Sequence, residues 1–332
     1  MNRKKLWFII PLLLLIGYLM GPKPAVPVFR KDMPPVPLDV VMLDDYISKK
    51  ESTHKIKKDN EARIVWYNDT NRTKTPYAIV YLHGFSASQA EGDPVHRNIA
   101  KKFGCNLLLT RLAEHGLDTV DALRKLTADK YWESVKESLA IAKQLGEKVI
   151  LMGTSTGGTN ALQLAAAYPS DVNALVLLSP NIAINDANAW LLNNPWGLQI
   201  ATMVTGSRYI ESKDQRDIYK QYWYSRYRLE GVVALEELLE QTMNHETFVK
   251  INQPTLMLYY YKDEVHQDSV VKVAPMLEMF KELKTDPSLK RSKAMPQSGN
   301  HVMASFIKSQ DLEGVQLEIE KFMTEILHIA PK

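Results

Sequence analysis

The sequence predicts an α/β fold: a mostly parallel central sheet with helices on both faces and a helical insertion over part of it. Three observations predict it. Strand-like and helix-like segments alternate from about residue 60 to the end, the signature of a sheet covered on both sides. The wholly apolar run 149–152 stops at Gly153-Thr154-Ser155-Thr156-Gly157-Gly158, and a helix-like run follows at once. Between 183 and 250 the alternation lapses, and aromatic residues crowd a stretch without a convincing strand.

Each element has its own reason. The segment 43–51 reads as a short helix. The segments 62–67 and 77–82 are rich in Ile, Val and Tyr and read as strands. The run 105–109 is another short apolar strand, and 121–126 suggests a helical turn or two. In 131–145, Tyr131, Trp132, Val135, Leu139 and Ala142 recur on one helical face, and Gly146 is a stop signal. The runs 149–152, 174–178 and 255–260 read as buried strands. A helix rich in alanine and leucine spans 157–167 and closes before Pro169. The helix 311–328 ends the fold, with Leu312, Val315, Ile319, Phe322 and Ile326 on one side. The insertion carries Trp190, Trp196, Tyr209, Tyr219, Tyr222, Trp223, Tyr224 and Tyr227. Two readings of these aromatics stand: an apolar lid over a site, or side chains that dock the insertion onto the core.

The N-terminus reads as a separate segment. Arg3, Lys4 and Lys5 precede the almost wholly apolar run 6–20, the order of a secretory signal or a membrane anchor. No small-x-small cleavage site follows, so an anchor is favoured, with the folded domain outside the cytoplasm; a cleaved signal, giving a secreted or periplasmic domain, is the alternative. Six prolines in 22–37 predict an extended spacer. The organisation is therefore 1–20 anchor or signal, 21–37 linker, 38–182 first part of the core, 183–250 insertion and 251–332 second part of the core.

Composition narrows the function classes. The chain has 332 residues and a net charge of +3, with no basic stripe to suggest nucleic acid. The single cysteine, Cys105, permits no intramolecular disulfide and reads as a buried small residue. No Cys/His cluster has zinc-site spacing, so neither metal nor cofactor is expected.

Gly153–Gly157 fits G-x-S-x-G, in which a serine sits on a strained turn between a strand and a helix. A phosphate loop would need Lys-Ser or Lys-Thr after the glycines; Thr159 and Asn160 stand there instead. A serine hydroxyl needs a base to take its proton, and the base needs a carboxylate to orient it. His245, His266 and His301 follow in the chain; His328, in the last helix, reads as structural. His301 is favoured, because it hangs in the polar turn 297–301 before a helical 302–307. The acid belongs at the end of the strand 255–260. Asp263 comes first in the turn there and is favoured, with Glu264 as the alternative and Asp268 a distant third. Two backbone N–H groups would hold an oxyanion: that of Thr156, after the serine, and that of Phe85, in His83-Gly84-Phe85-Ser86 after the strand 77–82. His83 would buttress that loop, and the loop 91–96 is a further candidate for lining the site.

These pieces resemble the α/β-hydrolase superfamily, in particular its carboxylesterase and monoacylglycerol-lipase-like group, also catalogued with serine aminopeptidases. The resemblance lies in YLHGFSAS (81–88), RLAEHG (111–116), LMGTSTGG (151–158), LLSPN (177–181), YYKDEV (260–265) and SGNHV (298–302), covering about 60 to 325. It implies an α/β-hydrolase fold with a helical cap. It also implies Ser155 as nucleophile, Asp263 as acid, His301 as base and Phe85 and Thr156 as oxyanion donors, with His115 in a structural turn. The expected function is cleavage of carboxylic esters, lipid-like ones included, through an acyl-enzyme. A peptidase or C–C hydrolase on the same fold, or a non-catalytic binding protein, are the alternatives.

Overall fold

The computed structural model of the chain describes residues 3–332. Met1, Asn2 and the basic side chains of Arg3, Lys4 and Lys5, on which the expected orientation of the N-terminal segment rests, lie outside the described residues. In chain order the helices and strands are α1 (Arg3–Leu19), α2 (Leu43–Glu51), β1 (Arg63–Val65), β2 (Thr75–Leu82), α3 (Val95–Phe103), β3 (Asn106–Leu109), α4 (Ala128–Leu145), β4 (Gly146–Thr154), α5 (Thr156–Ala167) and β5 (Ala174–Leu178). The insertion holds α6 (Gly197–Thr205), β6 (Tyr209–Glu211), α7 (Asp217–Tyr222), β7 (Arg226–Arg228), α8 (Leu229–Thr242) and α9 (His245–Phe248). The core resumes with β8 (Thr255–Tyr259), α10 (Val273–Glu282), β9 (Lys290–Ala294) and α11 (Leu312–Lys321).

Seven strands form one sheet in the order β1-β3-β2-β4-β5-β8-β9. Only β1 runs antiparallel to its neighbour; every other pair is parallel. Alternation along each strand feeds two cores. Ala78, Val80 and Leu82 of β2 join Leu151 and Leu175 on the face covered by α4 and α5. Ile79 and Tyr81 join Ile150, Met152 and Val176 on the face covered by α3 and α11. The central strands β4 and β5 are buried on both faces, which is why their sequences are apolar without alternation.

Four expectations are corrected. Residues 121–126 form turns rather than a helix. The insertion does contain strands: β6 and β7 pair antiparallel, Ile210 opposite Tyr227. The segment 302–307 is not helical, because it is tied laterally to the 90–94 loop: Ser305 Oγ donates to Ala90 O (2.7 Å) and Phe306 N to Asp93 O (2.9 Å). The last helix also stops before 328, turning through Phe322–Ile326 and leaving His328 exposed beyond it.

The proline-rich segment is extended but not free. Phe29, Met33 and Val36 pack on the core. Trp132 Nε1 donates to Arg30 O (2.6 Å), Lys136 Nζ to Asp32 O (2.8 Å) and Tyr168 OH to Lys31 O (2.9 Å). Ahead of it, α1 meets the insertion where Trp196 Nε1 donates to Gly17 O (3.0 Å). Among the described residues no helix is long and apolar enough to cross a membrane.

Candidate active site

The parallel strands β4, β5, β8 and β9 open their carboxyl ends on one edge of the sheet, where open α/β sheets place their ligands. Ser155 follows β4 directly, with φ 55° and ψ −121°, a conformation that L-residues avoid unless the surroundings impose it. Here the surroundings do. Ser155 N donates to Leu178 O (2.9 Å), and its carbonyl accepts the N–H groups of Gly158 (2.9 Å) and Asn181 (3.0 Å). The turn also needs bare Cα atoms: a Cβ on Gly157 would collide with the Leu82 carbonyl, and one on Gly153 with the Gly157 carbonyl. Glycine in the 153–158 stretch thus serves close packing of strand and helix.

The loop after β2 closes over this turn. A Cβ on Gly84 would stand 3.1 Å from Ser155 Cβ, so the loop packs directly against the serine side chain. The groups on either side of Phe85 are all held. Gly84 N donates to Glu91 Oε2 (2.5 Å), and Gly84 O pairs with His83 Nδ1 (2.9 Å). Ser86 N donates to His115 Nε2 (3.1 Å), and Ser86 O accepts Tyr224 N (2.8 Å). The N–H groups of Phe85 and Thr156 have no hydrogen-bond partner among the described residues, as groups reserved for a ligand oxygen would. His83 and His115 are fixed as neutral rings, since His83 Nε2 accepts Leu112 N (3.0 Å) and His115 Nε2 accepts Ser86 N. Burial holds His83 down to about 4, and burial followed by the nearby His83 pushes His115 well below the usual histidine range.

His301 lies in the loop after β9, with only 8% of its surface exposed. Its Nδ1 meets Asp268 Oδ2 at 2.6 Å, which leaves Nε2 as the free ring nitrogen. Burial pushes the ring down, but the Asp268 charge and hydrogen bond, with a smaller contribution from Glu91, outweigh it and hold His301 above its ordinary value. Burial likewise pushes Asp268 up, yet the charge and hydrogen bond of His301 and the N–H groups of Val270 and Val271 bring it below the carboxylate range. No hydrogen bond joins Ser155 Oγ to His301 among the described residues; such contacts often tighten only with substrate bound.

Asp263, the acid favoured from the sequence, is not on His301. Its carboxylate binds His266 Nδ1 at 2.9 Å and the N–H groups of Val265 and His266, and both side chains face solvent. The reason is an excursion of the chain. Residues 262–266 form a turn closed by Lys262 N to His266 O (2.9 Å), and the chain returns to the sheet only at Asp268, whose N–H donates to Tyr260 O (3.1 Å). Asp268, the third choice, thus takes the position that Asp263 was given. Glu264 points outward to Tyr261 OH (2.9 Å), and His245 is an exposed partner of Glu282. Local turn chemistry does not separate the two acids: Asp268 accepts the N–H groups of Val270 and Val271 just as Asp263 accepts those of Val265 and His266.

The insertion covers the site with only part of its aromatic set. Tyr219 and Trp223 are stacked 5.3 Å apart and pack on Ala87 and Ala90 of the loop after β2 and on Val302 beside His301. Tyr227 meets the Phe85 ring edge-on at 5.3 Å. Trp190 and Trp196, in contrast, are exposed. Cys105 is buried, and burial pushes its thiol up to about 12, an inert state. Among the described residues no group of three or more His, Cys, Asp or Glu side chains could hold a metal ion.

Known proteins align with this arrangement. The chain matches the family model of the serine aminopeptidases, S33, over residues 127–295, 169 of the 332 positions. It is 28% identical to Lipase 3 of Moraxella sp. (strain TA144) over 225 residues, 61% of this chain and 67% of the relative. It is 26% identical to Lipase 1 of Psychrobacter immobilis over 247 residues, 66% of this chain and 73% of the relative. Among solved structures, one of two metagenome-derived lipolytic enzymes, LipS and LipT, superposes with a TM-score of 0.64 at 13% identity, covering 82% of this chain and all of the other. That likeness shows the fold, which is the α/β-hydrolase fold.

Proposed function

We propose that this chain, which belongs to the family of the S33 serine aminopeptidases, is a serine hydrolase that cleaves carboxylic esters through an acyl-enzyme on Ser155. The observation that carries the reading is the buried His301–Asp268 pair at 2.6 Å, set on the same sheet edge as a serine in a strained strand-to-helix turn. Asp268 holds the proton on Nδ1, so Nε2 takes the proton of Ser155 as the hydroxyl attacks the substrate carbonyl. The C–O bond to the alcohol breaks as His301 returns that proton to the leaving oxygen. Water, activated by the same ring, then frees the acid and restores Ser155. Phe85 and Thr156 N–H groups hold the oxyanion in both halves.

The choice of esters over amides rests on the two relatives, both named as lipases. The apolar surfaces of Tyr219, Trp223 and Tyr227 beside the site suit an acyl chain. The exposed apolar side chains of α1, such as Leu13, Leu14 and Leu19, suit attachment to a lipid surface, and we include that attachment in the proposal. The test is fluorophosphonate labelling of the full chain, followed by turnover of p-nitrophenyl esters, monoacylglycerols and aminoacyl amides. Ser155 is the labelled residue, esters turn over fastest, and Ser155→Ala lowers kcat by about 10⁶-fold. Labelling elsewhere sinks the nucleophile; faster turnover of the amides moves the reading to a peptidase.

A further inference from the structure

The acyl-transfer reading leaves one buried carboxyl unused. Glu91 is 2% exposed and belongs to no ion pair among the described residues. Its Oε2 accepts the Gly84 N–H at 2.5 Å, and its Oε1 faces the Gly84 Cα so closely that a Cβ there would stand 2.8 Å away. The same added Cβ would stand 3.1 Å from Ser155 Cβ, so Glu91 and Ser155 approach one face of Gly84. The charged and titratable groups around Glu91 come from four elements: Tyr81 from β2, Tyr131 from α4, Tyr219 from α7 and His301 from the loop after β9. Only His301 among them can carry a positive charge. An acid buried without a fixed cation is costly, more so than a neutral side chain of similar size. A carboxyl kept there has a use.

We infer that Glu91 is a second positioning carboxylate of this site: it holds the oxyanion loop through Gly84 N–H and stabilises, through space, the charged His301 ring that forms during acyl transfer. The two roles follow from one placement. The peptide plane between His83 and Gly84 is fixed by the Gly84 N–H, and the next N–H in the chain is that of Phe85. Tethering Gly84 therefore aims Phe85 N–H before substrate arrives, the preorganisation on which oxyanion stabilisation depends. Asp268 reaches the ring by direct hydrogen bond; Glu91 acts across the loop without touching it. Because Glu91 and His301 interact, their protons leave in steps that belong to the pair. Burial pushes the Glu91 carboxyl up to about 8, against the opposing pull of Gly84 N–H, His301 and Tyr81.

The inference rests on Ser155 as nucleophile, so fluorophosphonate labelling of the wild-type chain is read first; a wild type that neither labels nor turns over esters overturns both. With labelling in hand, kcat/KM is measured from pH 5 to 10 for wild type, Glu91→Gln and Glu91→Ala, with thermal unfolding of each. Glu91→Gln keeps an oxygen to accept the Gly84 N–H but has no charge. Its profile is expected to lack the rise around pH 8 that ionisation of Glu91 adds in the wild type. Glu91→Ala loses the tether as well; its kcat falls by about tenfold or more, further than in Glu91→Gln, with KM little changed. Superimposable profiles for wild type and Glu91→Gln, or a wild-type rate that falls through pH 8, overturn the charge role. A Glu91→Ala loss no greater than its loss of folded protein overturns the tether.

Discussion

The 2.6 Å contact between His301 Nδ1 and Asp268 Oδ2 joins the loops that follow the last two strands of the sheet, and both partners are buried. A second aspartate–histidine pair, Asp263 and His266, sits five residues earlier on the same connection with both members in solvent. The two pairs make opposite predictions. Asp268→Asn presents an amide to Nδ1 and favours the wrong tautomer, so kcat falls by about 10⁴-fold while the protein stays folded. Asp263→Asn removes a solvent-screened contact and leaves kcat within about twofold. Steady-state kinetics on the two variants decide between them; a large loss in Asp263→Asn alone would return the acid to the position favoured from sequence.

The strained turn gives a sharper mutational test than its pattern suggests. Gly157→Ala places a methyl group against the Leu82 carbonyl, which lies in the middle of packed backbone and cannot swing away. The variant loses soluble, folded protein or unfolds well below the wild type, whereas Thr156→Val, which removes a buried hydroxyl without a hydrogen-bond partner, keeps its backbone N–H and most of its activity. Circular dichroism melts with ester assays on both separate backbone fit from side-chain chemistry at adjacent positions.

The sheet was readable wherever burial is two-sided. The runs 149–152 and 174–178 are apolar throughout because they lie at the centre of the sheet. β9, by contrast, is Lys290-Arg-Ser-Lys-Ala294, a polar edge strand with none of its residues fully buried, and periodicity carries no trace of it. Strand ends and glycines single out Ser155, His301 and the Phe85 loop in the sequence. They do not single out Asp268, the carboxylate that meets His301, because a turn of five residues displaces it along the chain. Residues 302–307 look helical in isolation and are held out of a helix by Ser305, through a contact to a segment more than two hundred positions away.

Buried histidines make stability depend on pH with a definite sign. His83 and His96 are fully buried, and burial lowers them to about 4 and about 3. A base whose folded value lies below its unfolded one contributes stability that is present above pH 6.5 and lost as pH falls through the folded value. For His83 this amounts to a loss on the order of 3 kcal/mol. His115 and the lowered Asp268 act in the same direction. The raised groups, His301 and Glu91, oppose them: their stability is present below the unfolded values and lost as pH rises through the folded ones, about 8 for Glu91. Tm is therefore highest near neutrality and drops steeply between pH 6 and 4. Calorimetric scans across pH 4–9 that show no acid limb would mean that these rings are charged or exposed.

The proline-rich segment is the last place where sequence and structure part, and the difference can be measured. A free spacer could be removed at residue 38 without cost. Here residues 28–36 complete the core. Without them Trp132 Nε1 and Tyr168 OH lose their acceptors, and the fully buried Lys136 Nζ keeps only Glu133. Phe29 also leaves the edge of the Trp132 ring, 6.0 Å from its centroid. Two or three lost hydrogen bonds at about 1 kcal/mol each, with an aromatic contact, come to roughly 3–5 kcal/mol. In a chain of this size that lowers Tm by on the order of 10 °C. The comparison is between fragments 22–332 and 38–332. The longer one melts close to the full chain because α1 contributes little to the core, and the shorter one melts early. Equal melting of the two fragments would show that the docked segment is a passive tether, and the organisation read from sequence would stand.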